Sequence, residues 1–225
     1  MPDAKIVIAY FVPFSRWVTE TNKDKPDTGS AAGFNPASPR WAESYELTNS
    51  MFGRLNEHII KVIRNMGYEA ATAPEAAVFY RDEVISHWSF RHLAYAAGLG
   101  TFGLNNMLIT EKGCSGRCNT VITNLDIKPD MPKKEEACLY RRNGSCMACL
   151  AKCPTGALTK TGFDRHRCYE QCLKNAGIYK DFGSSYVPEA DMSEAGADCP
   201  GEAVDIGSEV CGKCIAGLPC TFRAP

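Results

Sequence analysis

"GSCMACLAKCPTGAL", residues 144–158, sets Cys146, Cys149 and Cys153 within eight positions and follows the last at once with Pro154. The crowding raises two questions. One is what needs thiols so close together. The other is why Asn143 stands where a run of this kind usually carries a fourth cysteine.

The rest of the chain narrows the first answer. Its 225 residues hold twelve cysteines, none of them before Cys114. The N-terminal MPDAKIVIAYFVPF has an apolar run broken by Pro13 and no small-residue cleavage site, so it does not read as a signal peptide. No stretch reaches the roughly 18 apolar residues of a spanning helix. The chain therefore reads as cytoplasmic, with no membrane partner. In a reducing compartment clustered thiols point to metal ligation or redox chemistry before disulfides.

Cys146-x2-Cys149-x3-Cys153-Pro154 is the core of the bacterial ferredoxin pattern. Thiolates are soft donors suited to iron in a sulfide cage. In two-cluster ferredoxins the cysteine before proline serves the other cluster. Proline there fixes φ, turns the chain away and is expected to start a short helix. That crossing calls for a second half, and Cys211-x2-Cys214-x5-Cys220 supplies it. Zinc is disfavoured, because C-x2-C-x3-C-P is not a structural zinc spacing.

Ligands can then be allotted. One [4Fe–4S] cluster takes Cys146, Cys149 and, across the chain, Cys220. The other takes Cys211, Cys214 and Cys153. Each needs a fourth thiolate. With Asn143 unable to serve, the first reaches back to Cys138. For the second, Cys168, Cys172 and Cys199 are open, and symmetry with Cys138 favours Cys199.

Residues 1–135 read as an α/β domain, and residues 136–225, rich in cysteine and glycine, as a two-cluster module. KIVIAYFV from Lys5 is a strand pattern, and residues 21–40, dense in Pro, Gly, Ser, Asn and Asp, are a long loop. A helix is predicted over Trp41–Met66, with Phe52, Leu55, Ile59, Val62, Ile63 and Met66 on its apolar stripe and Gly67 ending it. His58 beside the stripe reads as a partly buried structural histidine. A second helix is expected over Trp88–Ala97, then strands at MLIT and from Cys118. Gly98, Gly100 and Gly103 form G-x-G-x-x-G, but after a helix and before a strand, the reverse of a dinucleotide site. They mark tight backbone packing or close approach to a bound cofactor.

AAGLGTFGLNNMLIT (96–110), VITNLDI (121–127), the CMACLAKCPTGAL run and FDRHRC (163–168) together resemble epoxyqueuosine reductase. More loosely they resemble the cobalamin-dependent reductive dehalogenases. The resemblance implies a nitroreductase-like α/β (α+β) fold carrying a ferredoxin-like module whose clusters feed cobalamin. It implies Cys168, in the family's Asp-x-x-x-Cys segment, as the eighth ligand, with Cys199 as the alternative. The chain is divergent. Counting back to the family's catalytic Asp lands on Val84, beside Asp82 and Glu83, and the chain stops at Pro225 without the extension used toward tRNA. With 25 basic and 26 acidic residues and no basic stripe, nucleic acid, tRNA included, is not an expected partner.

Cys114 and Cys118 flank Arg117 in the loop between two strands, and read as a redox dithiol, ordinary loop thiols, or a further metal site with Cys172. His87 and Arg91, four apart, are expected on one helical face, and read as ordinary capping and surface residues or as contacts to an anionic group. These four are the candidate catalytic residues. The expected function is an iron–sulfur oxidoreductase passing single electrons to cobalamin or a substrate at the α/β domain, with a redox protein or small molecule as partner. A homodimer is consistent with that fold. The alternative is a non-catalytic electron carrier or redox sensor.

Overall fold

The computed structural model describes residues 1–26, 33–73, 79–185 and 207–225. At its centre is an antiparallel sheet of three strands in the order β1-β7-β2, comprising β1 (Ile6–Pro13), β7 (Gly116–Thr123) and β2 (Ala70–Ala71). The long pair runs in register from Ile6 opposite Thr123 to Pro13 opposite Gly116. Side chains alternate between faces. Ile8 and Val121 pack with Ile59, Ile60 and Ile63 on one side, while Ala9, Phe11 and Cys118 pack with Phe90 and Ala94 on the other. The sheet thus lies between α2 (Pro39–Asn65) and α3 (Phe90–Ala96).

Helix α2 starts where Ser38 accepts the Trp41 N–H and Pro39 takes the first turn, and it stops before Gly67 at φ +86°. Its buried face is Trp41, Ala42, Tyr45, Phe52, Asn56 and Ile63. The expected stripe is corrected at one edge, since Val62 is 46% and Met66 60% exposed. His58, expected to be partly buried, is exposed. The sequence reading also missed α1 (Arg16–Thr21), a short helix capped by Ser15.

Two small hairpins follow: β3 (Phe79–Tyr80) with β4 (Ile85–Ser86), and β5 (Gly100–Phe102) with β6 (Leu108–Thr110). Gly98 and Gly100 of the 98–103 stretch stand where backbone packs closely, while Gly103 packs against the Asn105 and Ile109 side chains. A Cβ on Gly98 would stand 2.5 Å from the Met131 carbonyl, and one on Gly100 2.1 Å from that of Ile109.

The cysteine-rich part consists of one-turn helices α4 (Leu139–Asn143) and α5 (Ala148–Lys152), the longer α6 (Arg165–Ile178), and a 3-10 turn at Lys213–Ile215. Asp164 caps α6 by accepting the Arg167 N–H, which sets Cys168 one turn inside the helix. The helix expected to start at Pro154 is not there. It precedes the proline, as α5, and Cys153 follows it in extended backbone. Proline disfavours helical backbone in the residue before it, so α5 has to end first.

One apolar cluster draws on both parts of the chain, with Phe14, Trp41, Tyr45 and Ile109 packed against Cys138, Tyr179, Val210 and Ile215. Buried hydrogen bonds reinforce it. Asn22 donates to the Cys211 carbonyl at 2.8 Å, Asn105 to that of Cys214 at 2.8 Å, and Lys213 to the carbonyls of Asn22 and Asp24. Among the described residues no helix is long and apolar enough to cross a membrane.

Candidate metal centres

Cys138, Cys146, Cys149 and Cys220 line one pocket, walled by apolar side chains such as Leu104, Ile109 and Leu218. Each cysteine arrives on a different piece of local structure. Cys138 stands at the N-terminus of α4, and Gly144, at φ +76°, ends that helix and turns the chain toward Cys146. Asn143 supports this turn, its side-chain oxygen accepting the Ser145 N–H at 3.1 Å. Cys149 lies on α5, and Cys220 closes a loop held by the buried Thr221 hydroxyl, which accepts from Leu218 and donates to Ile215. The Cys138 sulfur accepts the Leu104 N–H at 3.4 Å.

Burial pushes the Cys149 thiol up to about 11, and the neighbouring thiols of Cys220, Cys138 and Cys146 add to the rise. Thiols gathered away from water resist ionisation, because each thiolate repels the next. A cation in their midst inverts that balance.

A second gathering lies beside the first. Burial drives Cys214 well above the ordinary thiol range, helped by Cys211, Cys168, Cys153 and Cys149. Burial also pushes Cys211 up to about 12, with Cys168 and Cys153 adding to it against the backbone hydrogen bond at Lys213. The Cys211–Cys214 turn needs Gly212 at φ +69°, and the Trp41 ring lies so close that a Cβ there would stand 2.2 Å from it. Trp41 is 1% exposed, and its Nε1 has no hydrogen-bond partner among the described residues. Among the described residues no three His, Cys, Asp or Glu side chains converge closely enough to hold a single metal ion.

Cys172 stands one turn along α6 from Cys168. The hydrogen bond between the two thiols, with burial, raises the Cys172 thiol well above its ordinary range, and the same bond lowers that of Cys168. Cys199, the alternative eighth ligand, lies outside the described residues.

The other sequence-predicted residues separate. The loop dithiol is corrected. Cys114 and Cys118 are both buried and belong to different apolar clusters, Cys114 facing Cys220 and Cys118 facing Ala94 and Leu108. Burial pushes Cys118 up to about 11, opposed by Arg117 and Arg91. The shared helical face is also corrected, because His87 precedes α3 and is exposed against the Tyr80 ring. Arg91 is on α3, and its guanidinium donates to the Asn106 carbonyl at 2.7 Å. Gly103 lines the first thiol pocket. Val84 has φ +52°, a left-handed conformation that a β-branched residue rarely adopts, in the turn between β3 and β4. Asp82 and Glu83 beside it are exposed.

Sequence reasoning missed Arg81, Tyr169 and Glu209. Arg81 donates to Tyr169 and to Glu209, whose carboxylate also accepts from Tyr169 at 2.9 Å and is wholly buried. Separations of 88 and 128 residues leave no local signal for this triad.

No protein-family model matches the chain. Among curated proteins it is 37% identical over 95 residues to the epoxyqueuosine reductase of Bacillus subtilis, covering 41% of this chain and 23% of that protein. It is 28% identical over 181 residues to that of Lactococcus garvieae, covering 79% and 46%. It is 30% identical over 159 residues to a tetrachloroethene reductive dehalogenase of Desulfitobacterium hafniense, covering 61% and 26%. The chain spans less than half the length of each. Among solved structures, the Streptococcus thermophilus epoxyqueuosine reductase is similar over the whole chain and 52% of its own, with TM-score 0.52 and 19% identity. A selenomethionine-labelled epoxyqueuosine reductase has TM-score 0.50 at 21% identity, covering 81% and 46%. The fold is therefore a mixed α/β one similar to that of epoxyqueuosine reductase.

One expectation is overturned. The similar structures include an epoxyqueuosine reductase with an epoxyqueuosine-modified tRNA-Tyr stem loop, at TM-score 0.49 and 20% identity, covering 81% of this chain and 45% of that one. Excluding tRNA as a partner of this chain is thus withdrawn. A net charge of −1 was a poor guide, because phosphate contact depends on local patches of charge and not on their sum.

Proposed function

We propose that the chain is an iron–sulfur oxidoreductase that holds two [4Fe–4S] clusters and passes single electrons through them to an acceptor at the α/β part. Cys138, Cys146, Cys149 and Cys220 hold one cluster, and Cys153, Cys168, Cys211 and Cys214 the other. The observation that supports this reading is the convergence of both cysteine runs on one region, where Cys149 shares a pocket with Cys138, Cys146 and Cys220, while Cys153 and Cys168 bear on Cys211 and Cys214.

The residues suit the group. The donor set is all thiol, soft and of the right number for two cubanes. Gly212 leaves room where a Cβ would strike Trp41, and the partnerless Trp41 Nε1 beside it is a buried donor that cluster sulfur would satisfy. The clusters supply one-electron transfer. The protein supplies thiolates in fixed places, apolar walls that exclude water, and backbone N–H groups such as that of Leu104 aimed at ligand sulfur. Loading releases the protons that burial holds on these thiols.

The resemblance suggests a nitroreductase-like fold with a ferredoxin-like module, and cobalamin as the acceptor. Among the described residues no group of side chains marks a corrin site. A second reading, a carrier or sensor without its own catalysis, is favoured by Val84 standing where the relatives' catalytic Asp is expected. Adding cobalamin to the anaerobic protein separates the two. A retained corrin whose spectrum changes on reduction supports the enzyme. A protein that takes up electrons but retains no corrin, and reduces neither a small-molecule epoxide nor one carried on tRNA, supports the carrier.

A further inference from the structure

Cys114 lies outside the eight proposed ligands and yet stands against one of them. Its sulfur is 3.8 Å from that of Cys220, within reach of an S–H···S hydrogen bond. The backbone fixes this approach. Cys114 N–H donates to the Cys220 carbonyl at 2.9 Å, and Ser115 N–H to that of Thr221 at 3.1 Å. Gly113 lets the two segments touch, since a Cβ there would meet the Thr221 carbonyl at 2.2 Å. Cys114 is 1% exposed among Phe14, Trp41 and Ile109, so water does not compete for its hydrogen.

A cysteine that ligates iron does so as a thiolate and has no hydrogen to give. The hydrogen between these sulfurs then belongs to Cys114. Cys114 does not line the pocket that Cys220 shares with Cys138, Cys146 and Cys149, so it stands behind the ligand, outside the ring of four.

We infer that Cys114 donates a hydrogen bond to the Cys220 thiolate and thereby raises the reduction potential of the cluster held at that pocket. The inference rests on the two-cluster reading above. Reduction adds one electron to the cluster and breaks no bond. The extra negative charge spreads onto the ligand sulfurs, where a donor stabilises the reduced form more than the oxidised one. Cys114 is a positioning and tuning residue, not a ligand.

The test is an EPR-monitored redox titration of the anaerobically purified full chain, as wild type, Cys114→Ala and Cys114→Ser, with iron counted in each. Alanine should disfavour reduction of one cluster by about threefold or more, the scale of one modest hydrogen bond. The other cluster should be unchanged. Serine, which keeps a donor, should stay nearer wild type, and iron should remain at about eight per chain in all three. An unshifted Cys114→Ala protein with full iron overturns the inference. So does loss of half the iron from Cys114→Ala, which would make Cys114 a ligand. Wild-type protein without iron overturns the two-cluster reading itself, a different and separable result.

Discussion

Cys149 and Cys153 stand at the two ends of the single turn α5, four residues apart, and only Cys149 lines the pocket with Cys138, Cys146 and Cys220. Cys149 is buried in the pocket with Cys138, Cys146 and Cys220. Cys153, released from the helix into extended backbone ahead of Pro154, lies toward Cys211 and Cys214. On the proposed two-cluster reading, one short helix bridges the two centres.

That relationship makes a sharp mutational prediction. Cys149→Ala and Cys153→Ala should each leave about four irons of the expected eight. The surviving cluster should differ between the two, with distinct EPR spectra. If both variants lose the same cluster, the division at α5 is wrong.

The choice of the eighth ligand is tested by Cys168→Ala, Cys172→Ala and Cys199→Ala, compared for iron content. Only the first should lose a cluster, because Cys168 raises the thiols of both Cys211 and Cys214, whereas of that pair only Cys211 bears on Cys172. Loss confined to the Cys199 variant would transfer the role to that residue.

Trp41→Phe removes the indole N–H while keeping an aromatic ring against Gly212. If cluster sulfur accepts that N–H, the variant should reduce less readily at the cluster held by Cys211 and Cys214, with the other unaffected. A smaller ring also costs packing, about 1–2 kcal/mol, which denaturation of the apo protein measures separately. An unchanged potential would leave Trp41 Nε1 as an orphan donor in the loaded protein too.

Arg81→Ala strands the Glu209 carboxylate, whose side chain is 0% exposed, with only Tyr169 as a partner. Breaking a buried pair from one side should cost about 3 kcal/mol, the low end of the range because the Arg81 side chain is 31% exposed. The apparent melting midpoint should fall by about 5–10 °C. Glu209→Gln, which keeps an acceptor and buries no charge, should lose less. Equal losses from the two would mean the charge is immaterial.

The legible part of this protein was its local chemistry. The strand at Ile6–Pro13, the long helix ending at Gly67 and the two cysteine runs follow from periodicity, capping and ligand spacing. What stayed hidden depends on chain segments meeting. The apolar stripe of α2 was misread at Val62 and Met66 because periodicity finds an amphipathic face but not how far its partner reaches. The pairing of Cys114 with Cys220 spans 106 residues, so it looked like half of a loop dithiol with Cys118. Net charge does not decide on tRNA for a related reason, since it sums over a surface whose layout the sequence does not display.

The most direct test of the central claim is the metal and acid-labile sulfide content of anaerobically purified protein, read beside its visible spectrum. The account predicts brown protein with about eight irons and eight sulfides per chain. Colourless protein carrying about one zinc and no sulfide would contradict it.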